Sequence, residues 1–257
     1  MTAVMPPRGI LVDDTSMDTI APETTVGDVV TRHPETLPVF ERLGIDYCCG
    51  GGRRLDEAAS ASGLGWQEVS AQIEAALAEP VDASAQPSWA DAPLTDLMGH
   101  IVDRYHGKLR ELMPMLSQMG EKVINAHGDR HPEVRDVAST FTGLRNELES
   151  HMMKEEQVLF PFVEQLEWGL GPMHPMLGHI GSPIAMMMQE HDSAGAALAT
   201  LRAATASYTA PPDGCTTFTG YYGQLAVLER ELHEHIHLEN NILFPKAAAL
   251  ESRVMGR

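Results

Sequence analysis

Apolar residues recur every three or four positions along this 257-residue chain from residue 94 onward. This period places them on one face of a helix, as for Val137, Phe141, Leu144, Leu148 and Val158. Glycine and proline interrupt the pattern at 128–132, at 211–214 and in the longer loop 169–183. The pattern therefore predicts an all-α fold, an up-down four-helix bundle with helices at 94–119, 132–168, 183–208 and 215–250.

The residues before the bundle divide into three parts of different composition. Residues 1–22 are predicted to be a flexible arm, and the short apolar stretches of residues 23–78 predict a small helical module. Thr25 is the expected cap of its first helix, since Asp28 follows three residues later. Residues 79–92 are rich in Pro, Ala, Asp and Ser and are typical of a linker, which leaves 93–251 for the bundle.

Two eleven-residue stretches, 151–161 and 235–245, repeat one pattern. Each begins with a His, has a Glu four residues later and ends in Leu-Phe-Pro. Another His precedes each stretch at a similar distance, His106 by 45 residues and His191 by 44. This self-similarity predicts two copies of one helix–helix unit.

Polar residues interrupt the apolar faces of all four predicted helices. They are four histidines and the two repeated glutamates: His106, His151, Glu155, His191, His235 and Glu239. The simpler explanation is that these buried side chains hydrogen-bond to one another. Each would cost about 1–3 kcal/mol if poorly paired, which in sum is comparable with the net stability of a domain. Because metal binding compensates for such burial, we favour a metal centre.

The ligand types indicate which metal is bound. Four imidazoles and two carboxylates are too many for one tetrahedral zinc, and they suit two ions, each with two His, bridged by both Glu. Mixed nitrogen and oxygen ligands favour iron, with manganese second. Ferritin-like sites use Glu-x-x-His, whereas this chain has His-x-x-x-Glu, which favours the hemerythrin-like class.

A further Glu lies one helical turn before each repeated His, Glu147 in the first copy and Glu231 in the second. We expect these two residues to orient the imidazoles or to form a channel for cations. The alternative is that they bind the metal directly, in place of the repeated glutamates.

Adjacent cysteines, Cys48 and Cys49, lie between Tyr47 and three glycines. Adjacent Cα atoms are about 3.8 Å apart, closer than in an ordinary disulfide, so a bond between these cysteines would be strained and easily reduced. Nearby backbone amides and the arginines at 53 and 54 are expected to favour the thiolate. We interpret the pair as a redox or iron-transfer dithiol. The alternative is two small thiols at a tight turn, and Cys215 is expected to be structural.

Charge and composition limit the partners of the chain. The formal net charge is −18 and no cluster of Lys or Arg stands out, which argues against nucleic-acid binding. No apolar run is typical of a signal peptide or a membrane span, and the three cysteines make no disulfide framework. We therefore expect a cytoplasmic protein that does not contact the membrane. His174 and His179 are interpreted as exposed loop residues, with a second metal site as the alternative.

Five segments together resemble a known family, the di-iron proteins for the repair of iron centres (RIC). They are Ile-Val-Asp-Arg-Tyr-His at 101–106, Gln-Glu-His-Asp at 189–192, Asp-Tyr-Cys-Cys-Gly-Gly at 46–51 and the two repeated stretches. The resemblance covers roughly residues 24–250. It implies a non-haem, oxo-bridged di-iron centre at the same six positions, with two His on each iron and two bridging Glu.

The family implies the repair of iron–sulfur clusters damaged by nitrosative or oxidative stress, with the centre supplying iron and the dithiol helping to transfer it. The partners would then be damaged iron–sulfur proteins. One alternative is a protein that binds or reduces nitric oxide or acts as a peroxidase, and another is an oxygen carrier or sensor. An iron donor is favoured over a classified enzyme, although nitric oxide reductase activity stays open. The small module is expected to need docking or homodimerisation for stability.

Overall fold

The computed structural model describes residues 20–79, 89–170 and 178–256. Within these ranges the chain forms eight helices, when contiguous segments are counted together, and no β-strand apart from one isolated bridge. The expected fold class, a four-helix bundle preceded by a small helical module, is confirmed. Most of the expected arm and of the expected linker lies outside the described residues, as does His174.

Four short helices build the N-terminal module: α1 (Val26–Arg32), α2 (Leu37–Leu43), α3 (Leu55–Ala61) and α4 (Trp66–Ala78). The Thr25 side chain accepts a hydrogen bond of 3.2 Å from the backbone N–H of Asp28, which is the cap expected from the sequence. Gly44 follows the last residue of α2, and its φ of 64° is the left-handed conformation common at helix ends. The loop between α2 and α3 carries the adjacent cysteines.

Four long helices form the bundle, and three of them contain one turn of π-helix. Helix α5 consists of Leu94–His100, the π turn Ile101–His106 and Gly107–His127. Helix α6 consists of Glu133–Lys154, the π turn Glu155–Leu159 and Phe160–Glu167. Helix α7, Gly181–Ala204, has no such turn. Helix α8 consists of Thr216–Leu238, the π turn Glu239–Leu243 and Phe244–Met255.

The π turn of α6 lies just before Pro161, and the same arrangement recurs in α8 before Pro245. The backbone N–H of Phe160 binds the carbonyl of Glu155, five residues earlier. A wider turn suits proline, which has no N–H and whose ring would meet the carbonyl four residues back in a regular α-helix. Proline does not account for every case, since the π turn of α5 is followed by Gly107 and Pro114 lies within an α-helical segment. The extra residue shifts the inward face of the helix. Phe160 is therefore buried, whereas Val158, predicted on the apolar face, is 37% exposed.

The first bundle helix is longer than predicted. Its predicted end is residue 119, but α5 continues to His127. The apolar face continues through Val123, which is buried, and Gly128 follows the last helical residue.

Two apolar clusters fill the bundle. On each long helix, the predicted ligands lie between residues of one cluster and residues of the other. One cluster includes Leu116, Phe141 and Leu225, and the other includes Leu97 and Phe162. The core of the module includes Ile236 of α8, so the module packs directly on the bundle. In the described ranges, no helix combines the length and the apolar character that membrane crossing requires.

Candidate metal centre

Every helix of the bundle contributes to the polar layer between the two clusters. Helices α5 and α7 each supply one His, and α6 and α8 each supply a His with a Glu four residues later, where the π turn begins. The spacing of four residues keeps this His and Glu on one helix face. All six side chains are at most 3% exposed. The helices thus bring the six predicted ligands together in the interior.

The six side chains form two groups that share both carboxylates. The His106 group consists of His106, His235, Glu155 and Glu239, and the His151 group consists of His151, His191, Glu155 and Glu239. In each group, one ligand atom from every residue lies within 4.8 Å of the others. Each group can therefore hold one ion with two imidazoles and two carboxylate oxygens.

All four imidazoles present the same nitrogen, Nε2, to the centre. Nε2 of His106 lies 3.2 Å from that of His235, and Nε2 of His191 lies 3.1 Å from that of His151. Each of these nitrogens also lies 3.1–3.3 Å from an oxygen of a shared glutamate. The ligand atoms of each group therefore surround a common point, as metal binding requires.

The shared carboxylates test whether a cation fits this site. Both oxygens of Glu155 and both of Glu239 are buried, and among the described residues the contacts at 3.1–3.3 Å to them come from the imidazoles of the same cluster, with no hydrogen bond from outside it. A buried carboxylate without donors costs several kcal/mol unless positive charge compensates for it. Two cations with mixed nitrogen and oxygen ligands supply that charge, so the donor set fits two iron ions.

The protonation of the centre reflects both its burial and its charges. Burial opposes ionisation of Glu239, yet contacts with His235 and His191 hold the pKa of this carboxyl well below its usual range. Burial also opposes the charged form of His151, but its carboxylate neighbours, Glu155 first, raise the pKa of this imidazole to about 9. Metal binding must therefore displace protons from this cluster.

A second set of residues holds the outer nitrogen, Nδ1, of three of the four imidazoles. The pairs are Glu156 with His106 at 2.7 Å, Glu190 with His151 at 2.9 Å, and Asn240 with His191 at 2.8 Å. Such contacts fix the ring orientation and leave Nε2 for the metal. Nδ1 of His235 is buried and has no partner in the described ranges, and the ring of this residue stacks on Tyr105 at 5.9 Å.

Sequence reasoning did not identify these outer partners. The repeat does carry a signal for two of them, because Glu156 and Asn240 each directly follow a shared glutamate. Glu190 directly precedes His191 within one of the five segments that carry the family resemblance.

Glu147 and Glu231 occupy different environments despite their equivalent positions in the repeat. Glu231 is buried and pairs with the Arg104 guanidinium at 2.5 and 3.2 Å. Glu147 is exposed and lines a narrow gap that reaches His151 and His191. Neither belongs to a ligand group, and the imidazoles are oriented by other residues. Of the expected roles, the position of Glu147 therefore supports the one in a channel for cations.

The cysteine pair lies against the bundle, close to the centre. The two Sγ atoms are 3.8 Å apart, and Sγ of Cys49 lies 3.8 Å from the backbone oxygen of His191. Asp46 Oδ1 accepts hydrogen bonds from the backbone N–H groups of both cysteines, at 3.1 and 2.9 Å. Asp46, Cys48 and Cys49 form a third candidate metal group, in which Asp46 is a residue that sequence reasoning missed.

The environment of Cys48 differs from the expectation that nearby backbone amides and the arginines favour the thiolate. The backbone amides bind Asp46, and Arg54 pairs with Asp56 at 2.9 Å. The hydrogen bond to Cys49, together with burial, raises the pKa of Cys48 well above its usual range. Cys48 is therefore a buried thiol, whereas Cys49 borders a cleft of about 610 Å³ between the module and α7.

Histidines outside the six ligands have other roles. His179 is 76% exposed and lies 3.8 Å from Glu251, so it is a surface residue. His237 is buried, and it lies beneath the module, 3.3 Å from the Tyr47 carbonyl. Neither joins a candidate metal group of the described residues.

Comparison with known proteins identifies two domains in this chain. Residues 97–247 match the hemerythrin HHE cation binding domain, and residues 22–77 match a domain of unknown function (DUF542). The iron-sulfur cluster repair protein YtfE of Pectobacterium carotovorum subsp. carotovorum is 36% identical over 225 residues, which cover 88% of this chain and 96% of the relative. YtfE of Citrobacter koseri is 38% identical over 226 residues, which cover 88% and 97%.

Proposed function

Because this chain belongs to the family of the iron–sulfur cluster repair proteins, we propose that it restores clusters damaged by nitrosative or oxidative stress by supplying iron. The resemblance that five sequence segments carry is confirmed by relatives that share 36–38% identity over most of the chain. The predicted di-iron centre is likewise confirmed by the match to the HHE domain together with the two ligand groups.

One observation carries this proposal: two buried carboxylates, Glu155 and Glu239, are shared by two four-ligand groups and, in the described structure, accept no hydrogen bond from outside this cluster. Iron bound there is the cargo of the protein. All the ligands in these groups are imidazole or carboxylate, whereas iron–sulfur clusters are bound by softer thiolates. Transfer therefore moves iron from an imidazole and carboxylate site to the thiolate ligands that suit an iron–sulfur cluster.

The residues around the centre have separate tasks in this proposal. Glu156, Glu190 and Asn240 orient three imidazoles, and Glu147 provides a negative charge at the gap that leads inward. Cys49, with Asp46 and Cys48, receives iron beside the cleft, where a client can approach it. Glu231 holds α5 and α8 together through Arg104.

The proposed partners are damaged iron–sulfur proteins. We also propose a cytoplasmic location, where free cysteines such as the three in this chain stay reduced. Homodimerisation through the module and binding of nitric oxide or oxygen at the centre stay predictions. The names of the relatives favour repair over these small-molecule reactions.

The experiment uses a client protein whose four-iron cluster has lost one iron. Rebuilding this cluster consumes one ferrous ion and one electron, so the iron-loaded protein is added anaerobically with dithionite as the electron source. We expect the client to regain its activity. After removal of dithionite and reoxidation of any unrepaired three-iron cluster, the electron paramagnetic resonance signal of that cluster should be smaller than in a sample without the iron-loaded protein. Restoration should be faster than with an equal amount of free ferrous iron in the presence of a competing chelator.

The control is Glu239→Ala, which removes a ligand from both groups and should leave nothing to transfer. No advantage over free iron would reject the repair function. Evolution of nitrous oxide from nitric oxide, without cluster restoration, would instead support the small-molecule alternative.

A further inference from the structure

The two halves of the centre are related by the sequence repeat, but their outer partners differ in chemistry. Glu156 follows one shared glutamate and accepts a hydrogen bond from Nδ1 of His106. Asn240 follows the other and accepts one from Nδ1 of His191. A carboxylate is acceptor-only, whereas an amide has an oxygen that accepts and a nitrogen that donates. The same position of the repeat therefore carries a side chain that only accepts hydrogen bonds in one half and a side chain that both accepts and donates in the other.

The second side of Asn240 contacts the cysteine loop. Its Nδ2 donates a hydrogen bond of 3.3 Å to the backbone carbonyl of Cys48, while its Oδ1 faces His191. The second contact of Glu156 lies within the bundle, where Arg110 donates to it at 2.7 Å. Asn240 thus connects His191, a candidate ligand of the His151 group, with the cysteine loop. The contacts of Glu156 in the His106 group make no such connection.

This connection determines which nitrogen of His191 is free for metal. A carbonyl only accepts hydrogen bonds, so the Cys48 oxygen requires the amide nitrogen of Asn240 to face it. The amide oxygen must then face His191, whose Nδ1 must donate, and the lone pair of Nε2 points into the centre. Glu156 imposes the same tautomer on His106 without outside help, because an ionised carboxylate cannot donate.

The loop is held in this position by close packing. Asn241 donates to the carbonyls of Tyr47 and Cys48, both at 3.2 Å. A Cβ at Gly51 would lie 2.2 Å from the Asn241 side-chain oxygen and 2.8 Å from the backbone oxygen of Tyr47, so Gly51→Ala must displace the loop backbone or the Asn241 side chain that holds it. The neighbouring Gly52 has no atom within 4 Å of the corresponding point.

We propose that Asn240 is a positioning residue that makes iron retention by the His151 group depend on the placement of the Cys48–Cys49 loop. When the loop moves away, as on engagement of a client, the amide loses the carbonyl that fixes its orientation. His191 then loses the acceptor that holds its Nδ1–H and orients its ring toward the ion, and this group releases its ion first. The inference rests on the proposed function, because it assigns the release step of iron delivery to one half of the centre.

The test compares iron release from loaded variants to a coloured ferrous chelator, under anaerobic and reducing conditions and without a client. Gly51→Ala should release one of its two ions about tenfold faster than the wild type, since loss of an outer-shell partner typically costs 10–100-fold in metal affinity. Gly52→Ala is the matched control and should release iron at the wild-type rate.

Two double variants locate the effect. Asn240→Asp keeps an acceptor for His191 but has no donor for Cys48, so adding Gly51→Ala to it should change the release rate little. Glu156→Gln lies in the other half, so adding Gly51→Ala to it should still accelerate release about tenfold. An undiminished response in the Asn240→Asp background, or loss of the response in the Glu156→Gln background, would overturn the proposal.

A second measurement does not depend on these double variants. In the zinc-loaded protein, nitrogen NMR should show a fixed Nδ1–H on both His191 and His106. Gly51→Ala should broaden or shift only the His191 signal, and an unchanged His191 signal would contradict the proposal. Because neither assay contains a client, either result is distinguishable from failure of the repair function itself.

Discussion

At the scale of single residues, the six ligands differ in how much of the centre depends on each. Glu155 and Glu239 belong to both groups, whereas each His belongs to only one. Removing a shared carboxylate therefore damages both positions, and removing an imidazole damages one. This difference distinguishes a two-ion centre from a single site built from the same residues.

The first prediction follows from this difference. Glu239→Ala should reduce the iron content from about two ions per chain toward none, and His151→Ala should leave about one. Bound metal stabilises the fold by about 3–4 kcal/mol at 100–1,000 times its dissociation constant. A chelator should therefore lower the melting temperature of the wild type and leave that of Glu239→Ala unchanged. Metal analysis and thermal unfolding with and without chelator measure both effects.

The matched control for this prediction is His179→Ala, at a residue that is 76% exposed and belongs to neither group. It should keep the wild-type iron content and the response to chelator. Equal iron loss in Glu239→Ala and His151→Ala would contradict the shared role of the carboxylate.

A second prediction separates the two glutamates that precede the repeated histidines. Glu147→Gln removes an exposed negative charge at the gap, so iron uptake should slow by about tenfold at low salt and by less at high salt. Glu231→Gln weakens the pair between buried Glu231 and exposed Arg104, so it should cost about 0.5–1 kcal/mol in the free energy of unfolding. Stopped-flow uptake and denaturant unfolding would measure these effects. Slow uptake in Glu231→Gln with unchanged stability would show that the roles are reversed.

At the scale of secondary structure, the helical period predicted the bundle but not the π turns within its helices. The alternation of apolar positions identifies four long helices because their buried faces are continuous. A π turn adds one residue to a turn, so it changes the phase without interrupting the pattern. Val158 was placed on the wrong face for this reason. Five of the six ligands lie before a π turn, at its first residue or in a helix without one, so the helical period still placed them on the inward face. His106, at the end of a π turn, is the exception.

A third prediction concerns the cause of the π turn in α8. In Pro245→Ala the backbone regains an N–H and loses the ring that conflicts with a regular helix, which favours the α conformation by up to about 3 kcal/mol. The π turn begins at Glu239, so its closure should displace this ligand and weaken iron binding. We expect a folded, helical protein by circular dichroism that retains less iron under chelator competition. Unchanged iron retention would show that packing, and not proline, maintains the turn.

At the scale of the whole molecule, the sequence predicted two helical regions but not how they meet. Periodicity reports which residues of a helix are buried, and it does not report what covers them. His237 lies off the inward face of α8, yet it is buried because the module covers it. Asn240 and Asn241 bind backbone carbonyls of the cysteine loop, and such contacts leave no pattern in side-chain types. The outer partners of the imidazoles were missed because periodicity does not report which side chains meet between helices, although Glu156 and Asn240 directly follow the repeated glutamates.

The last prediction concerns the sulfur atoms of the cysteine pair. The module docks on α8 through the carbonyls of Tyr47 and Cys48, which replacement of sulfur by oxygen does not remove. The double variant Cys48→Ser with Cys49→Ser should therefore keep the docked module, the full iron content and the wild-type rate of iron release to a chelator. It should nevertheless fail to restore a damaged cluster, because serine is a poor ligand for the ion that thiolates receive.

Cys215→Ser is the control, since this exposed cysteine lies at the start of α8, outside the Asp46–Cys48–Cys49 group, and the variant should restore clusters normally. The double cysteine variant is a sharper test than a chain truncated before the bundle. Truncation would expose Ile236 and His237, which the module covers, and would disturb the surface beside the ligands. Full cluster restoration by the double variant would show that the thiols are not needed for repair. The module would then act by docking on α8 and through its contact with Asn240, and not as a carrier of iron.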